Sequence, residues 1–178
     1  MNVIQTTLKD CVIIEPKVFG DERGFFLESF QVKRYRELAG ITDSFVQDNH
    51  SRSTKGVLRG LHFQKSKPQG KLVRVVHGEV FDVAVDLRPD SATFGQWFGV
   101  YLSEDNARQF WVPPGFAHGF QVVSDIADFE YKCTEYYYPQ DEGCIRWDDR
   151  TLNITWPIAQ AVLSQKDSAA PSFAELFK

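Results

Sequence analysis

The sequence predicts a mainly β fold: an antiparallel sandwich or barrel with a few short helices, built as one domain over residues 1–178. Three observations carry this. Short strand-type runs recur along the chain, separated by turn residues. Helical periodicity is weak and confined to three short stretches. An isolated sheet of such strands leaves unpaired edges, which a closed barrel or a paired second copy removes. The length suits one core, because a chain of 178 residues buries roughly 70% of its extended surface on folding.

The first run, residues 12–15, is short and apolar. Residues 25–30 form the next, entered through the Gly- and Asp-containing turn at 20–24. Residues 32–39 read as a short helix. Residues 45–49 alternate, which puts Phe45, Gln47 and Asn49 on one face. Residues 57–64 follow. The runs 71–76 and 79–87 flank His77-Gly78 and read as a hairpin. Within 79–87, Phe81, Val83, Val85 and Leu87 take one face and Asp82 and Asp86 the other. Later strands are expected at 97–102, 109–112, 119–123 and 129–137. Residues 159–163 and the tail after Pro171 read as further helices.

Composition narrows the function. Twenty basic and 24 acidic residues give a net charge of −4, which argues against nucleic acid or an anionic membrane as the main partner. A local basic pocket for a small anion stays open. Cys11, Cys133 and Cys144 have no CxxC spacing, so neither a disulfide framework nor a zinc ribbon is expected, only thiols in a reducing cytoplasm. The N-terminus lacks a basic region followed by an apolar stretch, so no signal peptide is expected. The longest uncharged run, residues 109–124, contains Pro113 and Pro114 and falls short of the roughly 20 apolar residues that span a bilayer. A soluble, cytoplasmic protein is expected.

Four histidines are candidates for chemistry. His77 sits in the expected turn and His50 follows a polar strand; both read as structural or solvated. His62 lies in an apolar run, where a histidine is usually a satisfied core residue. Its company changes that reading: Arg59 precedes it by three positions and Lys71 follows a Gly/Pro loop. A buried strand rarely tolerates such charges without a pocket to hold them. His118 closes a Pro-x-Gly-x-x-His spacing in PPGFAHGF (113–120), which resembles half of the second motif of the cupin superfamily. Metal-binding cupins also carry a His-x-His in the first motif. Here His62-Phe63-Gln64 lacks the second histidine, so no metal is expected.

Seven motifs in register, DERGFF (21–26), FVQDNHS (45–51), VLRGLHFQ (57–64), QGKLVR (69–74), GEVFDV (78–83), PPGFAHGF (113–120) and FEYK (129–132), closely resemble the dTDP-4-dehydrorhamnose 3,5-epimerase family. The resemblance runs from about residue 3 to the Ala169-Ala170-Pro171 region. It implies a cupin-type β-barrel or jelly roll, a homodimer, no metal or organic cofactor, and a thymidine-diphosphate-linked 4-keto-6-deoxyhexose as substrate. Protons at C3 and C5 of that sugar are acidified by the C4 ketone. Epimerisation therefore needs a base on one face, an acid on the other, and a stabiliser for the enolate oxygen.

By resemblance, His62 is the base, and an imidazole titrates in the range that suits reversible proton abstraction. Asp167 would orient it; read without the resemblance, Asp167 is a helix cap or a loop carboxylate. Lys71 would hold the enolate oxygen, and Tyr131 would deliver the proton from the opposite face. Without the resemblance these read as a loop-edge lysine and a strand aromatic. Arg23 and Arg59 carry over as diphosphate contacts. Glu28, Gln47 and Asn49 carry over as polar contacts to nucleotide or sugar, as do His118, Glu142 and Lys166. Tyr137 is placed to stack on thymine. Three alternatives stand beside this reading. They are a mono-epimerase acting at C3 or C5 only, a metal-dependent cupin oxygenase or isomerase, and a non-catalytic sugar-nucleotide binding module.

Overall fold

Short apolar runs must bury both faces of a strand, and the chain does this by stacking two antiparallel sheets. The computed structural model describes residues 1–177. In chain order the strands are β1 (Asn2–Gln5), β2 (Val12–Glu15), β3 (Val18–Asp21) and β4 (Gly24–Leu27). After helix α1 (Val32–Ala39) come β5 (Gln47–Thr54), β6 (Leu58–Gln64), β7 (Lys71–His77) and β8 (Glu79–Asp86). Then follow β9 (Trp97–Ser103), β10 (Gln109–Val112), β11 (Phe116–Val122), β12 (Ile126–Cys133) and β13 (Glu142–Cys144), with one-turn helices α2 (Gln165–Ser168) and α3 (Phe173–Leu176) at the end. One sheet has six strands in the order β1-β2-β10-β7-β12-β5; the other has five in the order β13-β6-β11-β8-β9; β3 and β4 form a separate hairpin. The strand pairs are antiparallel. This is the mainly β, jelly-roll-like architecture expected.

The core has three parts. Between the sheets lie Val73, Val75, Phe110 and Phe129 from one side and Val80, Ala84, Val100 and Phe120 from the other. Phe120 and Phe129 stack with ring centroids 4.1 Å apart. Burying a side chain of this size contributes roughly 1.5–3 kcal/mol, so this layer holds the two sheets together. The outer face of the five-stranded sheet, Phe81, Val83 and Val85, is covered by Leu152, Trp156 and Phe173 of the C-terminal segment. The outer face of the six-stranded sheet, Val12, Ile14, Leu72 and Trp111, is covered by Tyr35 and Ile41. Helix α1 holds that cover in place. The Gln31 side chain accepts the Arg34 amide at its start, and Gly40 ends it at φ +71°, the left-handed conformation that favours glycine.

Several expected elements shift. Residues 71–77 and 79–86 are not a hairpin: β7 pairs with β10 and β12, while β8 pairs with β11 and β9. Gly78, at φ +74°, instead carries the chain from one sheet to the other. A Cβ there would lie 2.1 Å from the Ile126 carbonyl oxygen, so the corner requires glycine. The expected faces of β8 hold, with Phe81, Val83 and Val85 in the outer cluster and Asp82 on the other side against His118, but both faces are buried, Asp82 and Asp86 included. Residues 159–163 form no helix; Val162 makes a parallel bridge to Val57. The expected strand at 129–137 runs from Ile126 to Cys133. Strands β1, β3 and β13, each of four residues or fewer, are not among the expected runs.

Asp86 yields a prediction about acid stability. It accepts hydrogen bonds from Arg88 at 2.8 Å and from Ser91 and Thr93 at 2.6 Å. Burial acts to raise this carboxyl, but the three donors outweigh it and hold it at about 2, against an ordinary 3.8. A depressed carboxylate stabilises the fold above its unfolded value and loses that contribution as pH falls through its folded value. The unfolding free energy is therefore expected to lose about 2 kcal/mol from this group between pH ~5 and ~2. Asp86→Asn, which lacks the group, should show a correspondingly flatter fall in urea titrations. Equal slopes in the two proteins would contradict the assignment.

Candidate functional site

Strands β6 and β11 approach closely where the site begins. A Cβ on Gly60 would sit 2.5 Å from the Gly119 Cα and 2.8 Å from the His118 carbonyl oxygen. Gly60 itself lies at φ +129°, and the register shifts between His118 and Phe120. This tight crossing sets His62 of β6 directly opposite His118 of β11. Each imidazole then meets a carboxylate. His62 Nε2 lies 2.6 Å from Asp167 Oδ1. His118 Nε2 lies 2.9 Å from the fully buried Asp82.

Asp167 is held in turn by the first turn of α2. The Ser164 side chain accepts the Asp167 amide at 3.1 Å and donates to Oδ2 at 2.9 Å. Burial pushes the Asp167 carboxyl up, but the hydrogen bond and charge of His62, with help from Ser164, hold it below the ordinary carboxylate value. An ionised Asp167 fixes the His62 tautomer: the proton sits on Nε2 and the Nδ1 lone pair is free.

The facing wall comes from the six-stranded sheet. Lys71 starts β7, and Tyr131 of β12 stands in register with Asn49 of β5. Burial lowers Lys71 below the ordinary lysine value against the opposing pull of Cys133, Glu142 and Asp82. Burial and the nearby Cys133 push the Tyr131 phenol up to about 12, with Arg59 acting the other way. Tyr131 is therefore a protonated phenol at neutral pH.

Polar groups around the mouth brace one another. Gln47 donates to Asn49 at 3.0 Å and accepts the Tyr137 amide at 3.0 Å. The Tyr137 hydroxyl donates to Glu142 at 2.8 Å, and Lys166 donates to the same carboxylate oxygen. Arg59 Nε donates to Ser53 at 3.1 Å.

These side chains enclose a cavity of about 360 Å³ between the sheets. It is lined by Gln47, Asn49, Arg59, His62, Lys71, His118, Tyr131, Tyr137 and Glu142, all anticipated from the sequence. Asp167 and Lys166 stand behind it, through His62 and Glu142. Arg23 and Glu28 are not brought to it within one chain. Arg23 pairs with Asp21 on the β3–β4 hairpin, and Glu28 pairs with Arg34 at 2.7 Å. A second cavity, of about 280 Å³, opens on the other side of the six-stranded sheet, but its charges are matched, Arg74 with Glu130 and Lys132 with Asp48.

The family model for dTDP-4-dehydrorhamnose 3,5-epimerase matches residues 5–175. The chain belongs to this epimerase family. An epimerase of that name from Salmonella typhimurium is 59% identical over 173 residues, covering 96% of this chain and 94% of its own. One from Escherichia coli is 55% identical over 180 residues, covering 100% and 97%. A crystal structure of the enzyme from Legionella pneumophila, in complex with dTDP-4-keto-L-rhamnose, superposes with a TM-score of 0.95. It is 62% identical and covers 99% of this chain and 94% of that one. Membership makes the chain an enzyme of the isomerase class, as the motifs implied.

Around this cavity, two features escaped the sequence reading. Ser51 lines the cavity with its Oγ buried and, among the described residues, without a hydrogen-bond partner. Ser53 orients Arg59. The alternation that marked Gln47 and Asn49 continues through 51 and 53, and extending it would have found both. Gln64 explains the missing second histidine. Its amide donates to the Lys67 and Tyr136 carbonyls and its oxygen accepts the Tyr138 amide, so this position pins two loops together.

Proposed function

We propose that the cavity converts dTDP-4-dehydro-6-deoxy-D-glucose to dTDP-4-dehydro-L-rhamnose by inverting C3 and C5 in turn. The observation that carries this reading is the placement of base and acid on opposite sheets. His62, with Asp167 behind it, stands on the five-stranded sheet, and Tyr131 stands on the six-stranded sheet. His62 Nδ1 takes the proton from the carbon next to the ketone. Asp167 stabilises the imidazolium that forms. The electron pair moves to the C4 oxygen, where the Lys71 ammonium meets the developing negative charge. Tyr131 returns a proton to the other face of the carbon, and solvent restores both groups. A ring flip presents the second carbon to the same pair. Arg59, steadied by Ser53, binds the diphosphate, Gln47 and Asn49 bind nucleotide or sugar, and Tyr137 stacks on the base. No step calls for a metal or organic cofactor.

Incubation with the 4-keto-6-deoxyglucose nucleotide in D₂O tests this by proton NMR. Loss of signal at both C3 and C5 with formation of the L-lyxo sugar is expected after chelator treatment. Exchange at one carbon alone would make the protein a mono-epimerase, and exchange at neither would end the catalytic reading.

The working unit is proposed to be a homodimer. The β3–β4 hairpin carries Phe25 and Phe26 at 73% and 68% exposure, too much apolar surface for a free arm. Arg23 on that arm cannot serve its own cavity, so a second copy is its natural recipient. Sedimentation equilibrium is expected to give about twice the 20.4 kDa chain mass; a monomer would contradict this. A cytoplasmic location is also proposed. It is supported by three unpaired cysteines, and among the described residues no helix is long and apolar enough to cross a membrane. Recovery in the periplasmic or membrane fraction would count against it.

A further inference from the structure

His62 belongs to a second constellation, on the side away from the substrate cavity. A ring nitrogen of His62, the Sγ of Cys144 and a carboxylate oxygen of Asp167 all lie within 4.8 Å of one another. We propose that these three side chains form a binding site for Zn²⁺, and that its capture turns the enzyme off reversibly.

The donor set fits the ion. One imidazole, one thiolate and one carboxylate with an open fourth position make up a zinc site with three protein ligands. Magnesium and calcium want more oxygen donors than the site has. The geometry is close to what is needed. Zinc bonds of about 2.0–2.3 Å place tetrahedral ligand atoms roughly 3.3–3.8 Å apart. Cys144 Sγ is already 3.7 Å from Asp167 Oδ1. The 2.6 Å contact between His62 and Asp167 must widen by under roughly 1 Å to reach that range.

The support around the ligands is also in place. Cys144 of β13 is in register with His62 of β6, so the sheet fixes their spacing. Ser164 holds Asp167 Oδ2 and leaves Oδ1 for the ion. Entry is from a cleft of about 370 Å³ between β6 and the 162–167 segment, lined by both His62 and Asp167. Lys166 at its edge has its charge engaged by Glu142.

Binding balances simply. The Cys144 thiol gives its proton to solvent and the thiolate bonds to the ion. The proton on His62 Nε2 passes to Nδ1, and the freed Nε2 lone pair bonds to the ion. One proton leaves per Zn²⁺ bound, with no change of oxidation state. Nδ1 now carries a proton and cannot take one from substrate. This loss of activity rests on the reading of His62 as the base, whereas the binding does not.

The test uses Co²⁺ as a coloured substitute, titrated into chelator-treated protein. One equivalent is expected to raise a thiolate-to-cobalt charge-transfer band, which Zn²⁺ abolishes by displacement. Zn²⁺ should slow turnover over the same concentration range. In Cys144→Ser the band should vanish. Zinc sensitivity, measured against that variant's own zinc-free rate, should weaken by at least the roughly 10–100-fold that loss of even an outer-shell partner costs. Absence of the band in the unaltered chain, or equal zinc sensitivity in Cys144→Ser, would overturn the site. The band is read on the unaltered chain, so a variant that fails to fold does not shelter the proposal. A saturated site with undiminished turnover would leave the metal site standing and overturn the switch, and with it the base role of His62.

Discussion

Replacing His62 with Asn is expected to lower kcat by about 10²–10⁴-fold, the usual share of a general base, while the protein stays folded. The side chain stands at the cavity wall with 26% exposure, so the change opens no cavity in the apolar core. Asn ends where Nδ1 stood and stops short of Asp167 Oδ1, which loses the contact that Nε2 made, but the other carboxylate oxygen keeps its bond to Ser164 and holds the one-turn helix in place. What is lost is the lone pair at Nδ1, which on the proposed reading takes the substrate proton. Steady-state rates, paired with a thermal melt, check this. Near-normal turnover in the folded variant would show that another group abstracts the proton. The neighbouring His118, held by Asp82, would be the first to examine.

Tyr131→Phe is expected to cost a comparable factor in net epimerisation, about 10²–10⁴-fold, for a different reason. The ring keeps its packing against Phe129, with centroids 5.8 Å apart, so only the phenolic proton disappears. Because burial holds that phenol protonated, up to about 12, the unaltered enzyme should keep a competent acid well above neutral pH. The variant should bind substrate with little change in KM while kcat falls. A rise in KM with unchanged kcat would make Tyr131 a binding residue only.

Much of this site was legible before the fold was known, and the reasons are specific. Gln47 and Asn49 declared a shared face by their spacing of two. His62, Arg59 and Lys71 stood out as polar groups in apolar strands, a combination that needs a cavity. Asp167 was legible only through resemblance. It lies 105 residues from His62, and nothing local marks a carboxylate in a one-turn helix as the partner of a distant imidazole. The hairpin expected at His77-Gly78 failed because a glycine corner joins two strands whether they pair or part. Only the packing of Ile126 and the second sheet against it decides. Strand β5 was cut short in the reading because its later residues are polar. It is an edge strand whose inner face serves the cavity rather than the core, so hydrophobicity does not mark it.

The claim at the centre of this account is that base and acid approach the sugar from opposite sheets. Proton NMR of Tyr131→Phe acting on the 4-keto-6-deoxyglucose nucleotide in D₂O tests it most directly. His62 should still remove the proton and return a deuteron to the same face. The account therefore predicts exchange at C3 with the starting configuration retained. Exchange accompanied by inversion at the unaltered rate would contradict it.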